Sequence, residues 1–249
     1  MIANRPIALD DGVLLLPFWR EDPKPISRHC DLSASCASCV VKSSAPVGVS
    51  GTLLSKDGGS SWVLGGDIRP PKSAKPILLL EGTVVQLAAS GVVLQLFRTN
   101  AGFVYAARSK DGGLKWTEAR ALPGLPNPGS KVSALQLAPG LLALGYNHHG
   151  QGNVDGLKVS TRTRLRVALS ADDGATWQTV AKLEEAVAHL TKYHYPTLLP
   201  GPSTADGACQ LGVLYTIGFK ERASDGGVRA AVLDLAAIAA VSDIESGVR

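Results

Sequence analysis

The phrase S-K-D-G-G-S-S-W at residues 55–62 decides how the chain is read, because it returns twice. It recurs as S-K-D-G-G-L-K-W at 109–116 and as S-A-D-D-G-A-T-W at 170–177. The shared pattern is Ser-x-Asp-x-Gly-x-x-Trp, and the copies start 54 and 61 residues apart. Self-similarity at this period marks a repeat architecture, in which each repeat is one supersecondary unit stacked on its neighbours. Each residue type has a local task. Asp57, Asp111 and Asp172 can accept backbone N–H groups in a tight turn. Gly59, Gly113 and Gly174 allow a positive φ. Trp62, Trp116 and Trp177 supply apolar bodies to pack beside the turn. The phrase therefore reads as a clasp on a hairpin, a structural device that pins the outer turn of each unit.

Outward from the clasps the same order recurs: strand, glycine turn, strand, strand, clasp. Residues 7–18 read as a hairpin turning at Asp11–Gly12, and 49–54 lead into the first clasp. Residues 77–87 and 92–98 form a second hairpin, and 103–108 lead into the second clasp. Residues 132–137 and 141–147 form a third, and 165–169 lead into the third clasp. A fourth hairpin is expected to start at 195–199, turn near Asp206–Gly207 and return over 211–217. Residues 179–190 read as a strand followed by a short helical stretch. Residues 223–227 resemble a decayed clasp, and 229–241 read as a last strand with an Ala-rich, helical end. Short strands between glycine-rich turns indicate an all-β protein. Four-stranded units at this spacing indicate a β-propeller, which hides its sheet edges by radial closure. About four to five blades are represented, in a single domain spanning 1–249.

Composition narrows the function. The 249 residues are 45% apolar and carry a formal net charge of only +4. That charge, without a Lys/Arg run, argues against nucleic acid. No stretch reaches the roughly 18 apolar residues of a membrane span. The N-terminus enters a strand pattern at once, so upstream sequence is expected to be missing, and the compartment is not readable. Residues 22–47 read as a loop insertion rich in Cys, Pro and Ser. Cys36 and Cys39 have CxxC spacing with Cys30 and His29 nearby, but the second ligand pair of a zinc site is missing. Ordinary thiols are the simpler reading, with a disulfide open in an oxidising compartment. No cofactor or metal is implied.

The segments between the clasps resemble the sialidase-like BNR/Asp-box repeat family. R-P-I-A-L-D-D-G-V-L-L-L-P-F-W-R-E at 5–21 is similar to a strand pair of that family ending in Glu. L-F-R-T-N-A-G-F-V-Y-A-A-R-S-K-D-G-G at 96–113 is similar to the segment that carries a carboxylate-binding Arg. L-P-N-P-G-S at 125–130, R-T-R-L-R-V-A-L-S at 162–170 and K-Y-H-Y-P-T at 192–197 match further segments. The resemblance implies a six-bladed propeller fold and exo-α-sialidase-type cleavage of a terminal sialic-acid-like sugar. It assigns Arg98 and Arg162 to the substrate carboxylate, Tyr193 to nucleophilic attack and Glu81 to the base that activates it. The chemistry fits those types. A guanidinium matches a carboxylate bidentately. The substrate's own carboxylate repels an anionic nucleophile, and sialidases are the tyrosine exception among glycosidases. A phenol with a pKa near 10 needs a neighbouring base.

The chain departs from the pattern in places. Gly82 stands where the family has Pro, which leaves the register at Glu81 open. His194 stands where Ser is usual, and of the two tyrosines beside it Tyr195 reads as the structural, strand-packing one. The first pocket Arg and the acid/base Asp of the family are not found, since Asp10 and Asp11 fall in a hairpin turn. The partner implied is a sialylated or otherwise carboxylated glycan. The alternative is a non-catalytic propeller that binds anionic sugars or serves as an interaction scaffold.

Overall fold

A computed structural model describes residues 1–22, 27–30, 39–42, 47–73, 75–150, 162–185, 191–201, 210–219 and 226–235. The first sheet holds β1 (Ile7–Ala8) and β2 (Leu14–Asp22). A separate two-stranded ribbon follows, β3 (Ser27–Cys30) and β4 (Cys39–Lys42), in which Cys30 stands opposite Cys39. β5 (Val47–Ser55) and β6 (Val63–Ile68) complete the first sheet in the order β1-β2-β5-β6. The second sheet comprises β7 (Leu79–Gln86), β8 (Val93–Thr99), β9 (Phe103–Ser109) and β10 (Arg120–Pro126). The third comprises β11 (Ser133–Ala138), β12 (Leu141–Asn147), β13 (Leu165–Ser170) and β14 (Gln178–Glu184). The fourth comprises β15 (Thr191–Pro200), β16 (Gln210–Phe219) and β17 (Gly227–Asp234). Each sheet is an antiparallel meander in sequence order, apart from the ribbon set between β2 and β5. The ribbon lies inside the segment read as a loop. Cys36, Cys209, the Asp206–Gly207 turn and most of the decayed clasp lie outside the described residues. So do the stretch after Glu185 expected to be helical and the end of the last strand.

The four innermost strands converge. A cavity of about 300 Å³ is lined by Ile7 and Ala8 of β1, Thr83 to Gln86 of β7, Ser133 to Gln136 of β11 and Thr197 and Leu198 of β15. Four meanders whose first strands surround one cavity form a β-propeller, and four blades are described. The apolar core lies between the blades. Leu9, Leu15 and Leu54 of the first blade cluster with Val84 and Val93 of the second. Leu94, Leu96 and Val104 of the second cluster with Leu142, Leu144 and Ala168 of the third. Leu135, Val167 and Leu165 of the third cluster with Leu198, Leu211 and Val213 of the fourth. A strand buried on both faces reads as an unbroken apolar run, with no alternation. All of Val93 to Phe97 in β8 are buried, and Gln95 alone interrupts the apolar run.

Blades share no hydrogen-bond ladder, so single hydroxyls cross the gaps. Ser50 Oγ donates to Leu79 O at 2.9 Å. Thr83 Oγ1 accepts Ala134 N at 3.1 Å, and Ser133 Oγ accepts Leu198 N at 3.1 Å. Each of these hydroxyl residues is buried, where an unpaired polar group costs about 1–3 kcal/mol.

The three clasps have one geometry. The serine hydroxyl accepts the N–H of the glycine four residues on, at 2.8 Å in every copy. It donates to the aspartate at 2.7 to 2.9 Å. The aspartate accepts the N–H of the residue four further on at 2.8 Å. The tryptophan Nε1 donates to the clasp glycine carbonyl at 3.0 to 3.1 Å. Asp57 and Asp172 are held down at about 2, first by the hydroxyls of Ser61 and Thr176 and then by backbone N–H groups.

The second and third clasps also press on the blade before them. Gly113 O accepts Thr52 Oγ1 at 3.1 Å and Gly66 N at 3.1 Å, both from the first blade. Arg108 Nη2 of the second blade donates to Asp173 O in the third clasp at 2.6 Å. A Cβ on Gly113 would lie 2.7 Å from Leu15 Cδ1 and 3.0 Å from Thr52 Oγ1. The clasp is therefore a contact between blades as well as a turn.

Two predictions follow from this geometry. Gly59 has φ +94°, and a Cβ there would meet only ordinary van der Waals contacts, Trp62 at 3.7 Å and Leu14 at 3.8 Å, so Gly59→Ala meets backbone strain alone and should cost about 1–2 kcal/mol. Gly113→Ala adds overlap with the first blade and should cost about 1–3 kcal/mol more. Equal losses in urea denaturation would show that the clasp does not bear on its neighbour. Separately, Asp172 has a folded pKa below its unfolded one, so it contributes stability above pH 4 that is lost as pH falls through 2. The thermal midpoint should fall over that window, and fall less in Asp172→Asn.

Candidate active site

Glu81 and Arg98 meet because β7 bulges. The ladder pairs Leu80 with Arg98 and then resumes at Thr83 with Leu96, leaving Glu81 and Gly82 out of register. Glu81 has φ +49°, a conformation that costs a non-glycine residue energy and clusters at functional sites. The bulge turns the Glu81 carboxylate onto the Arg98 guanidinium, with Nη1 to Oε2 at 2.9 Å. Glu81 is buried and Arg98 is partly exposed. Arg98 Nε is buried without a hydrogen-bond partner among the described residues. A Cβ at Gly82 would stand 2.3 Å from Gln95 Nε2, so any side chain there would force Gln95 to move. The carbonyls that the bulge releases, Glu81 O and Gly82 O, accept Asn4 Nδ2 at 2.9 and 3.0 Å.

The second half of the site lies on β15, which also bulges. Its ladder with β16 runs to His194–Thr216 and resumes at Thr197–Leu214, and Tyr195 has φ +56°. The Arg162 guanidinium lies 5.1 Å from the centre of the Tyr195 ring, within cation–π range. His194 meets the same ring edge-on at 4.8 Å. Burial, then the charges of Arg162 and Lys192, push His194 down to about 4, so it is neutral at neutral pH.

Asn147 and His149 place Arg162. Asn147 Nδ2 donates to Thr163 O at 2.8 Å and to Tyr193 O at 2.7 Å. His149 Nε2 accepts Thr163 N at 3.2 Å, and Tyr193 N donates to Arg162 O at 2.8 Å. Arg166 is engaged elsewhere, in a bidentate pair with Glu185 at 2.9 Å for both bonds.

Tyr193 adjoins Arg162 through its backbone, but its side chain has other company. It packs in the core between the third and fourth blades. Burial first, and then the charge of Glu184, raise its pKa above the ordinary phenol value, with Arg229 opposing. The positive φ at Tyr195 breaks the alternation of the strand, so the two tyrosines have different surroundings. The sequence-expected residues thus fall into two groups, Glu81 with Arg98, and Arg162 with the backbone of Tyr193, while the ring beside Arg162 is that of Tyr195, which sequence reading took as structural. Lys131, which sequence reading passed over, lies between them. It is buried, its Nζ donates to Pro196 O at 2.8 Å, and the Glu81 charge acts on it. The loop before Lys131 is held by Asn127, whose Oδ1 accepts Gly129 N at 2.9 Å and Ser130 N at 2.8 Å. Among the described residues no group of three or more His, Cys, Asp or Glu side chains could hold a metal ion. No helix among them is long and apolar enough to cross a membrane.

Breaking a part-buried ion pair, like a buried one, costs more than deleting it whole, because one charge is left uncompensated. Arg98→Met should therefore destabilise the chain by about 2–4 kcal/mol, and adding Glu81→Leu to it should recover part of that loss. A double-mutant cycle in urea checks this, and additive losses would mean the two groups do not interact.

Comparison with known proteins gives a consistent picture. The family described as BNR repeat-like domain matches residues 1–207. No curated protein matches the chain. A protein of unknown function from Dyadobacter fermentans shares the fold at TM-score 0.61 and 18% identity, over 92% of this chain and 52% of that one. A point mutant of the NanB sialidase of Streptococcus pneumoniae matches at 0.60 and 17%, over 92% and 30%. A Trypanosoma rangeli sialidase, solved with 2,3-difluorosialic acid as a covalent intermediate, matches at 0.56 and 14%, over 94% and 31%. At these identities the likeness is one of fold. The chain spans about half the length of the first of these structures and about a third of the others.

Proposed function

The chain belongs to the BNR repeat-like domain family, and on that premise we propose that it acts as a sialidase-like glycoside hydrolase on a terminal sugar bearing a carboxylate. The observation that carries this reading is the part-buried Glu81–Arg98 pair, whose carboxylate stands on a strained bulge at the inner strand of its blade. Such strain is kept where function needs it. The solved sialidases of similar fold support the substrate class.

In this reading Arg98 and Arg162 bind the sugar carboxylate. Arg98 brings the unpartnered Nε that such a ligand would satisfy. A tyrosine attacks the anomeric carbon and Glu81 takes its proton. The leaving oxygen departs with a proton from a donor, and water then opens the tyrosyl–sugar bond, so the anomeric configuration is retained. Sequence reading assigns the attack to Tyr193. The geometry favours Tyr195 as a second candidate, since the Arg162 guanidinium lies over its ring, whereas the Tyr193 side chain packs in the core between blades. Burial and Glu184 also make the Tyr193 phenol harder to ionise. No residue is assigned as proton donor. Asp10 and Asp11 flank the β1–β2 turn, where Asp11 Oδ1 accepts Val13 N at 3.1 Å. That placement favours a second reading, in which the same site binds an acidic sugar without turning it over.

Hydrolysis of a fluorogenic sialoside separates these readings. Phenylalanine at the attacking tyrosine should lower kcat by at least about 10³-fold, because a nucleophile acts as part of a unit. The same change at the other tyrosine should cost less than about tenfold. Arg98→Met and Arg162→Met should each weaken binding about 10- to 100-fold, the value of a charge-assisted hydrogen bond. Binding of N-acetylneuraminic acid with no turnover supports the second reading, and neither binding nor turnover sinks both.

A further inference from the structure

Lys131 is a buried ammonium that the reaction just described does not use. It follows the Asn127 turn and stands two residues before β11, whose side chains line the shared cavity. Its single recorded acceptor among the described residues is Pro196 O. That carbonyl needs a donor because the β15 bulge removes Tyr195 and Pro196 from the ladder with β16. A buried carbonyl left without one is costly. On the other side stands Glu81, the charged group that acts on Lys131.

Two bulges therefore face one lysine. Each carries a non-glycine residue at positive φ, Glu81 at +49° and Tyr195 at +56°. The residue after Lys131 is tied to the first bulge as well, since Asn4 Nδ2 reaches Val132 O at 3.4 Å as it holds Glu81 O and Gly82 O.

We propose that Lys131 is a positioning residue of the site, holding the Tyr195–Pro196 bulge against the Glu81–Arg98 pair and so setting where the Tyr195 phenol stands relative to the Glu81 carboxylate. The inference rests on the site reading given above. It has a pH signature. Burial pushes the ammonium down to about 8, and the Glu81 charge opposes that shift. Below pH 8 the charged lysine is drawn toward Glu81. Above it the neutral amine still donates to Pro196 O but loses that attraction. The other titratable or charged groups on the surrounding elements are Arg98 on β8, Lys192, Tyr193, His194 and Tyr195 on β15, Arg162 before β13, and Arg5 before β1. His194 titrates near 4, and Tyr193 titrates above its ordinary value.

The test is an NMR titration of the full chain from pH 6 to 10, with label at lysine Cε and in the tyrosine rings. The Lys131 and Tyr195 signals are assigned by their loss in Lys131→Met and Tyr195→Phe. The expected result is a Lys131 step near pH 8 with a Tyr195 ring step at the same midpoint. Lys131→Met should abolish the ring step. Lys131→Arg, which keeps a charge that does not titrate, should hold the ring signal at its low-pH position throughout. A Tyr195 signal with no step near pH 8, or with the same step in both variants, overturns the proposal. If Lys131→Met fails to fold, the wild-type midpoints and the Lys131→Arg signal decide the matter. Adding N-acetylneuraminic acid to the same samples tests the sugar reading separately. If the sugar shifts no signal while the lysine and tyrosine steps still coincide, the positioning role stands and the substrate class falls.

Discussion

The Gly113 carbonyl, held at once by the Thr52 hydroxyl and the Gly66 N–H of the blade before it, represents the constraint on which this architecture depends. Within a blade the backbone satisfies itself by ladder pairing. Between blades no ladder exists. What joins them is apolar packing plus a few polar contacts that must find their partners without water. Ser50, Thr83 and Ser133 make such contacts at the inner strands, and the clasps make them at the outer turns. Apolar packing alone is tolerant of sliding. The polar contacts are not, because each is worth having only at one relative position of two sheets. They turn a stack of meanders into a register of meanders, and the inner strands inherit their alignment from it.

The candidate site depends on where that alignment is locally broken. Both halves of it sit on bulges of inner strands, and each bulge leaves carbonyls without ladder partners. In one case Asn4 supplies the donor and in the other Lys131 does. The polar groups that repair the strands are thus drawn from other parts of the chain. The second blade also holds Gln95, fully buried beside Gly82, with neither side-chain nitrogen nor oxygen partnered among the described residues. A side chain at position 82 would force Gln95 to move.

The fold was legible because its signal is local and repeated. A clasp needs a hydroxyl, a carboxylate, a glycine and an indole at set offsets, and each of those offsets closes a hydrogen bond seen three times over. The Glu81–Arg98 meeting was legible for a similar reason, as the two residues lie on one hairpin. The Arg-x-x-Leu form of the resemblance, Arg162 to Leu165, pointed to Arg162 over Arg164 and Arg166, and Arg166 is engaged with Glu185. The choice between Tyr193 and Tyr195 was not legible. It turns on one positive φ that no residue type at 195 announces, since tyrosine is a poor fit there. Lys131 was invisible because its meaning comes from Pro196, 65 residues away. Asn4 was invisible for the same reason, its acceptor lying 77 residues on. Short-range chemistry can be read from a string, whereas a contact that only the closed stack creates cannot.

The seating of the clasps gives the stack a direction. The second clasp bears on the first blade and the third on the second, through Gly113 and through Asp173. A lesion in one clasp therefore loosens the boundary on its N-terminal side and leaves the following boundary to its own clasp. The molecule resembles overlapping roof tiles, in which each course secures the one laid before it. Damage in such an arrangement travels toward the start of the chain, so blades of equal size and similar composition need not be equally tolerant of change.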